Sequence, residues 1–243
     1  MYDEFKQLMQ TELTEIGISL DDKQIGQFYQ YYELLMEWNK VMNLTTITEW
    51  EDVVTKHMVD SLSLIKAIPE LSTSQASVMD LGTGAGFPGI PLKIAFPGLH
   101  ITMLDSLNKK VNFLKEVMKQ LELENITAIH GRAEDYGREK KYREQYDYCV
   151  SRAVANLSTL AEYCMPYVKI GGMFISYKSG KMEEELAQAK GAIKLLGGKT
   201  EQVIAFTLPG GDAERSLICI HKLESTSKLY PRKAGLPGKE PLK

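Results

Sequence analysis

Residues 78–89 of the chain read Val78-Met79-Asp80-Leu81-Gly82-Thr83-Gly84-Ala85-Gly86-Phe87-Pro88-Gly89. A short apolar run leads directly into a glycine-rich turn, and a helical pattern follows. Glycine has no Cβ, so such a turn lets the backbone bend sharply and approach a ligand closely. We therefore predict a strand, a tight loop and a helix, with the loop at the sheet edge where ligands of open α/β folds bind.

Beyond this segment, short apolar runs alternate with helical patterns. The alternation predicts βαβ units and a mostly parallel sheet covered by helices. The last two runs are joined only by Pro209-Gly210-Gly211-Asp212. This link has no room for a crossover helix, so those two strands should be antiparallel. The apolar runs are 78–81, 101–104, 126–129, 146–150, 173–176, 203–208 and 217–220, and the predicted helices are 88–96, 108–121, 156–167 and 182–196.

The first 75 residues follow a different pattern. Apolar side chains recur at helical spacing over 5–16, 25–38 and 53–65, and Asp21 or Asp22 can cap the second helix. A Ser/Thr-rich connector closes this region. We predict an N-terminal helical cap over 1–75, a Rossmann-like domain over 76–224 and a basic tail with Pro and Gly over 225–243.

The glycine-rich segment fits two cofactor patterns. Gly84-x-Gly86-x-x-Gly89 matches the dinucleotide pattern, whereas Asp80-x-Gly82-x-Gly84-x-Gly86 matches that of methyltransferases. A pyrophosphate prefers free helix N-terminal amides and a positive field, but Asp80 adds negative charge and Pro88 removes one N–H donor. S-adenosylmethionine carries a sulfonium, an ammonium and no phosphate, so these residues favour it. A purely structural glycine turn is the third interpretation.

The end of the chain supports the same choice. An open α/β sheet that finishes with one antiparallel hairpin is the arrangement of class I S-adenosylmethionine-dependent methyltransferases, whereas dinucleotide dehydrogenases usually finish parallel. The sequence therefore predicts the Rossmann-like sheet of that class, preceded by the helical cap.

Candidate cofactor contacts follow the second and third strands. Asp105 ends the second strand, where a carboxylate can accept both ribose hydroxyls or can cap the next helix. After the third strand, the backbone N–H of Ala133 and the side chain of Glu134 can read an adenine edge. Helix capping by Glu134 or Asp135 is the alternative.

Two basic residues end the next strands. Arg152 follows the fourth strand, where the transferable methyl group points in this fold, so it can bind the substrate or the cofactor carboxylate, or form an ordinary ion pair. Lys178 ends the fifth strand and is the second catalytic candidate. Phe87 either covers the cofactor or is a core aromatic residue.

The composition sets limits on the class of protein. Hydrophobic residues make up 44% and charged residues 25% of 243 residues, which is typical of a globular protein. No apolar run is long enough to span a bilayer, and the N-terminus does not resemble a signal peptide. The three cysteines and four histidines are scattered, so we expect reduced thiols, no metal site and a cytoplasmic protein.

The charge is unevenly distributed. Residues 1–75 hold five Lys and thirteen Asp or Glu, a formal charge of −8, whereas residues 76–243 carry +5. The last 22 residues hold six basic and two acidic residues. A basic C-terminal region can attract a polyanion, although solvated surface charge is an equally good interpretation.

At this point the sequence resembles a known family over nearly its whole length. It is similar to the RsmG (GidB) family of bacterial ribosomal RNA methyltransferases. The Trp/Asn block and the tail are specific to this family, whereas many methyltransferases share the glycine loop. The matching segments are Trp38-Asn39-Lys40-Val41-Met42-Asn43-Leu44-Thr45, His57-Met58-Val59-Asp60-Ser61-Leu62, 80–91, 105–110, Arg132-Ala133-Glu134, Ser151-Arg152-Ala153 and 230–242.

The resemblance implies N7-methylation of one guanosine in 16S ribosomal RNA, with S-adenosylmethionine as the donor. It also implies cofactor contacts at Gly82, Phe87, Ala133, Glu134 and Arg152. Guanine N7 has a free lone pair and no proton to lose, so this reaction needs no general base, and the sequence shows no conspicuous one. Catalysis would then come from alignment and electrostatics.

Binding of RNA, either the 16S molecule or the small subunit, would fall to basic groups. The candidates are Lys109, Lys110, Arg232, Lys233 and Lys239. We expect the acidic N-terminal helices to cover the cofactor cleft, with His57 and Asp60 at its opening or buried as a hydrogen-bonded pair. Trp38 is expected to be a core residue, and the chain is expected to be a monomer.

Three other functions compete with this one. A nicotinamide dehydrogenase would bind NAD and use no methyl donor. A non-enzymatic RNA-binding factor would not need the combination of Asp80, the glycine loop and Asp105. A small-molecule methyltransferase is the closest rival, against which the basic tail argues only weakly.

Overall fold

The computed structural model describes residues 1–152, 155–180 and 182–243. Its centre is a seven-stranded sheet in the order β3-β2-β1-β4-β5-β7-β6. The strands are β1 Ser77–Leu81, β2 His100–Asp105, β3 Ile126–His130, β4 Tyr146–Arg152, β5 Val168–Ser179, β6 Gly198–Thr207 and β7 Glu214–Lys222.

The first five strands pair in parallel, and β7 is antiparallel to both β5 and β6. The predicted class I methyltransferase sheet with its terminal hairpin is therefore confirmed. Strand order reverses between β1 and β4, which places the switch point of the sheet beside the glycine-rich loop. The structure thus directs a ligand to the loop that follows β1.

Helices connect the parallel strands. They are α5 Gly89–Ala95, α6 Asn108–Gln120, α7 Ala133–Tyr136, α8 Leu157–Cys164 and α9 Glu183–Leu195, with α10 Leu236–Lys239 in the tail. The predicted helix over 156–167 ends earlier, at Cys164, and a 3-10 turn at Met165–Tyr167 follows. Pro166 lies in that turn, and because proline lacks an N–H and its ring clashes with the preceding turn, the α-helix cannot continue.

The N-terminal region contains two long helices, α1 Tyr2–Glu15 and α2 Asp22–Met42. Asp21 caps α2, since its side chain accepts from the Gln24 N–H while the Gln24 side chain accepts from Asp21. The third predicted helix is broken up. Its parts are α3 Trp50–Val53, a π-helical turn Val54–Val59, α4 Asp60–Leu62 and 3-10 turns at Ser63–Lys66 and Pro69–Thr73.

Three glutamines attach α2 to the sheet helices. The Gln24 amide donates to Ile94 O at 2.8 Å, and Gln27 donates to Leu121 O at 2.7 Å. Gln30 donates to Gln120 O at 3.4 Å. These acceptors are carbonyls near the ends of α5 and α6, which otherwise lack partners within the helix. One face of α2 therefore caps two helices of the sheet domain.

The predicted cap shares its hydrophobic core with the sheet. One continuous buried cluster contains Phe5, Phe28 and Leu35 from the N-terminal helices together with Ile101 of β2 and Leu114 of α6. Trp38 is partly buried and packs on Phe113 with ring centroids 5.6 Å apart, as expected of a core residue. The N-terminal helices are thus built into the sheet domain and can shape its ligand site.

Candidate active site

A cavity of about 810 Å³ lies at the carboxyl ends of β1, β2 and β4. Its volume falls in the range of small-molecule sites. The glycine-rich loop forms one wall, and residues from the N-terminal region and the tail complete it. Sequence-predicted residues among its lining are Gly82, Gly84, Phe87, Asp105, Lys110, Ala133, Glu134 and Arg152.

The loop amides are largely used within the protein. Gly82 N and Thr83 N both donate to Leu104 O, and Gly86 N and Phe87 N both donate to Thr83 O. Carboxylates accept the Gly84 and Gly89 N–H groups, at 2.9 and 2.8 Å. Pro88 has no N–H, and within the part of the chain that the structure describes only the Ala85 N–H of this loop has no acceptor. A phosphate would find almost no free donors here, in contrast to an ordinary dinucleotide loop.

Each glycine of the loop has its own steric reason. A Cβ on Gly84, whose φ is +63°, would meet only Lys110 Nζ at 3.9 Å and would project into the cavity. A Cβ on Gly86, whose φ is +102°, would lie 2.6 Å from Ile90 and 2.9 Å from the Tyr31 hydroxyl. Gly84 thus leaves space for a ligand, whereas Gly86 allows the loop to pack on α2 and does not line the cavity.

Asp80 lies beneath the loop and does not line the cavity. Its Oδ2 accepts from the Thr83 hydroxyl at 2.6 Å and from Gly89 N, whereas its Oδ1 is buried with no partner among the described residues. Burial raises the pKa of Asp80 and outweighs the hydrogen bonds from Thr83 and Gly89, which lower it. The resulting pKa is about 6. The carboxylate therefore holds the loop in shape and adds negative charge behind it.

Asp105 holds the loop from the cavity side. Its Oδ2 accepts from Gly84 N at 2.9 Å and its Oδ1 accepts from Leu107 N at 2.9 Å. The alternative interpretation as a cap of the next helix does not hold, because Leu107 is the N-cap of α6 and makes no side-chain cap. Lys110 Nζ lies 4.0 Å from Asp105 Oδ2 at the same wall.

Ala133 and Glu134 begin α7, which follows β3, and both line the cavity. Glu134 is buried, and its Oε1 accepts from Gly235 N of the tail at 2.7 Å. The Ala133 carbonyl accepts from the Tyr167 hydroxyl at 2.8 Å. The tail thus reaches the cavity and holds the carboxylate of Glu134, which the sequence predicts as a cofactor contact.

Arg152 enters the cavity from the end of β4 as part of an ion-pair network. One guanidinium nitrogen donates to Asp60 Oδ2 at 2.8 Å, and the guanidinium carbon lies 5.1 Å from the Phe87 ring centroid. Asp60 also pairs with Arg215 at 3.2 Å. The ion-pair alternative for Arg152 therefore has a definite partner in Asp60, while the side chain still lines the cavity.

His57 packs between the same residues. Its ring stacks on Phe87 with centroids 4.5 Å apart, its Nδ1 faces Arg152 Nη2 at 3.3 Å and its Nε2 lies 2.8 Å from Thr45 Oγ1. Burial, together with the neighbouring Arg152 charge, lowers the pKa of His57 to about 3. His57 is therefore neutral near pH 7, and it is a poor base. His57 lines the cavity, whereas Asp60 is buried behind it.

Lys178 is placed differently from the catalytic role expected for it. Its ammonium donates to Glu185 Oε1 at 2.6 Å and to Ala155 O at 2.8 Å, and the residue does not line the cavity. Glu185 also accepts from Leu157 N. Lys178 therefore stabilises Ala155 directly and, through Glu185, the start of α8 at Leu157. Ala153, which belongs to the predicted Ser-Arg-Ala motif, lies outside the described residues.

The basic RNA candidates divide into two groups. Lys109, Lys233 and Lys239 are exposed, and Lys110 lies at the cavity wall. Arg232 instead forms a bidentate pair with the fully buried Glu162, with Nη2 to Oε2 at 2.7 Å and Nε to Oε1 at 2.9 Å. Arg232 is thus bound through Nε and Nη2 to a buried carboxylate, and its expected contact with RNA stays a prediction.

The tail is held along its length. Arg143 donates to the carbonyls of Thr226, Ser227 and Tyr230, and Arg138 donates to Pro231 O.

Cavity residues that the sequence analysis did not select as site residues include Leu44, Thr45, Arg132, Thr159, Tyr163, Gly235 and Gly238. For Leu44, Thr45 and the tail glycines, the signal available was their place in the family-specific segments.

The described part of the chain has no helix long and apolar enough to cross a membrane. Across the same residues, no group of three or more His, Cys, Asp or Glu is arranged to hold a metal. The three cysteines are buried and unpaired with one another in disulfides.

Known proteins are similar to this chain in sequence over most of its length. The family described as rRNA small subunit methyltransferase G, GidB, matches residues 24–218. Ribosomal RNA small subunit methyltransferase G of Lachnoclostridium phytofermentans is 56% identical over 230 residues, which cover 95% of this chain and 94% of that protein. The protein of the same name from Alkaliphilus metalliredigens is 49% identical over 240 residues, covering 99% and 100%.

Solved structures show the same fold at low sequence identity. A putative sarcosine dimethylglycine methyltransferase from Galdieria sulphuraria gives a TM-score of 0.51 at 16% identity, over 67% of this chain and 83% of that one. TYW2 of M. jannaschii, in complex with AdoMet, gives 0.52 at 14% identity, over 68% and 77%. By its sequence, the chain belongs to the rRNA small subunit methyltransferase G (GidB) family.

Proposed function

We propose that the protein transfers a methyl group from S-adenosylmethionine to N7 of one guanosine in 16S ribosomal RNA. Family membership makes the chain a methyltransferase of small-subunit ribosomal RNA with S-adenosylmethionine as donor. The choice of guanine N7 follows the family resemblance and the chemistry of the cavity. We also propose that the protein acts in the cytoplasm as a monomer without a metal ion.

The observation that carries this proposal is the internal hydrogen bonding of the glycine loop. Since the Ala85 N–H is the only amide of the loop without an acceptor among the described residues, the loop suits a ligand without phosphates. The carboxylates of Asp105 and Glu134 line the cavity, and the negative charge of Asp80 lies behind the loop. This set fits a cationic donor and would repel a pyrophosphate.

The residues present would hold the donor as follows. Gly82 and Gly84 would allow close approach, Asp105 would accept from the ribose hydroxyls, and the start of α7 at Ala133 and Glu134 would contact the adenine. Phe87 would cover the donor near Arg152, while Asp80 and Gly86 support the loop from behind. When bound, the donor supplies an electrophilic methyl group on a sulfonium.

The cavity offers positioning and electrostatics and needs no proton acceptor. Attack by guanine N7 releases no proton, and His57, the histidine that lines the cavity, has a pKa of about 3. Arg152 is fixed by Asp60 and therefore keeps its place while a substrate binds. Alignment of the base in a fixed cavity supplies the rate enhancement.

RNA affinity is proposed to come from lysines near the cavity and on the tail. Lys109 and Lys110 begin α6 beside the cavity wall, and Lys233 and Lys239 flank the tail glycines that line it. Contacts between these ammonium groups and phosphates would make binding depend on salt.

The decisive experiment maps N7-methylguanosine in 16S ribosomal RNA from cells that lack this protein. Complementation with the wild type should restore one modified guanosine, and the variant Gly84→Val should not. Gly211→Val is the matched control, because Gly211 has open space around it and lies in the link between β6 and β7. An unchanged modification pattern in the deletion strain would refute the proposed function.

A further inference from the structure

The cavity has one end that the proposed donor contacts leave unassigned. Along the sheet edge, Glu134 follows β3, Asp105 ends β2, the glycine loop follows β1, and Arg152 ends β4. The carboxylates proposed for the donor therefore lie on the β2 and β3 side. On the β4 side, Thr45 and His57 of the N-terminal region line the same cavity.

A chain of hydrogen bonds at this end has a fixed direction. Arg152 can only donate, so His57 Nδ1, 3.3 Å from its Nη2, must be an acceptor. The single proton of the neutral imidazole then resides on Nε2. Because Nε2 lies 2.8 Å from Thr45 Oγ1, His57 donates to that hydroxyl oxygen.

The Thr45 hydroxyl can then act only as a hydrogen-bond donor. Its oxygen also accepts from Ile47 N at 3.0 Å, so both lone pairs are occupied. The hydroxyl proton is then free to donate, and the oxygen cannot accept another bond. The backbone of Thr45 is held as well, since the Asn39 amide bonds both its N–H and its C=O at 3.0 Å.

We propose that the Thr45 hydroxyl donates to O6 of the target guanine and so selects guanine over adenine. This inference rests on the proposed methylation at N7. Guanine presents N7 and O6 side by side as acceptors, whereas adenine presents N7 beside an amino donor. An adenine in the same position would bring its amino hydrogens against a hydroxyl that cannot accept them, leaving both groups unpaired.

The test compares target-site analogues in a synthetic RNA that spans the methylated loop. Inosine retains N7 and O6, whereas 2-aminopurine retains N7 and lacks O6. We expect wild-type kcat/KM to be similar for guanosine and inosine, and about 10-fold lower for 2-aminopurine, the value of one neutral hydrogen bond. Thr45→Val should lower kcat/KM about 10-fold for guanosine and leave 2-aminopurine unchanged, and Thr45→Ser should restore the preference.

The possible failures are distinguishable. If the Thr45→Val variant keeps the wild-type preference for guanosine, or loses equal activity on both bases, the role of Thr45 is refuted. A loss of S-adenosylmethionine affinity in calorimetry would also refute it, because the hydroxyl would then serve the donor. If the wild type forms no N7-methylguanosine at all, the proposed function fails instead.

A second measurement needs no substrate. Long-range proton–nitrogen spectra of the full chain report which nitrogen of His57 carries its proton. The expected form is the Nε2–H tautomer, in the wild type and in Thr45→Ser. An Nδ1–H tautomer would reverse the direction of the bonds and overturn the inference.

Discussion

The pair between Arg232 and Glu162 gives a prediction that separates the stability of the tail from RNA binding. The two guanidinium nitrogens Nε and Nη2 bond the carboxylate, the Arg232 backbone N–H adds a third contact at 2.7 Å, and Nη2 also reaches Glu240 O. Glu162 is fully buried, whereas 21% of the Arg232 side chain is exposed. Removal of the arginine would therefore leave a buried carboxylate without its cation.

The expected size of the effect follows from that burial. Removal of one partner from a buried ion pair costs about 3–5 kcal/mol, and the partial exposure of Arg232 places it near the lower end, about 3 kcal/mol. A chain of this length loses roughly 2–4 °C in Tm for each kcal/mol. We expect Arg232→Met to lower Tm by about 6–12 °C.

Calorimetric unfolding of matched variants tests this reasoning. Replacement of both partners, Arg232→Met with Glu162→Met, should recover most of the lost stability because no buried charge remains. Lys233→Ala, next to Arg232 but exposed, should change the free energy of unfolding by less than about 0.5 kcal/mol. If Arg232→Met left Tm unchanged and weakened RNA binding as Lys233→Ala does, the structural role of Arg232 would be refuted.

Three further predictions concern the tail lysines, the glycine loop and the carboxylate beneath it. Lys233→Ala with Lys239→Ala should weaken RNA binding and make the plot of log affinity against log salt concentration less steep, by the amount expected for the loss of about two phosphate contacts. An unchanged slope in filter binding would exclude these lysines. Gly84→Val should abolish S-adenosylmethionine binding in calorimetry while Gly211→Val retains it, because φ at Gly84 is +63° and a side chain would enter the cavity; equal affinities would contradict this. Since burial raises the pKa of Asp80 to about 6, the folded state holds a proton that the unfolded state releases from about pH 4. The free energy of unfolding of the wild type should therefore fall relative to Asp80→Asn as the pH rises from about 4 to 6 in urea titrations, and parallel curves would contradict it.

Local patterns were sufficient to predict the sheet. Apolar runs bounded by turn residues mark all seven strands, and the short link at Pro209–Asp212 determines the antiparallel end, because chain length alone forbids a crossover. The ends of helices are harder to predict where several weak conformational preferences of the backbone compete. The region around His57 follows a helical apolar pattern, yet it forms a π-helical turn between two short α-helical segments.

Contacts between distant parts of the chain could not be predicted from such patterns. Asp105 was expected at the site, but its bond to Gly84 N depends on how β1 and β2 align. Asp60 lies 92 positions from Arg152, and only the folded chain shows that they pair. Arg232 is a basic residue in a basic tail, and for that reason the sequence predicts a contact with RNA. Its structural role becomes visible only in the folded chain, where it pairs with the buried Glu162.

The three regions predicted from the sequence converge on one cavity. The N-terminal region supplies Thr45 and His57, the sheet domain supplies the glycine loop and Arg152, and the tail supplies Gly235. Each contribution is bound to a neighbour from another region: His57 to Arg152, and Gly235 to Glu134. A change in the tail or the N-terminal helices therefore alters the walls of the site, so residues of these regions can affect catalysis without touching the reacting atoms. Activity lost in a tail variant must consequently be separated from lost stability before any contact with RNA is inferred from it.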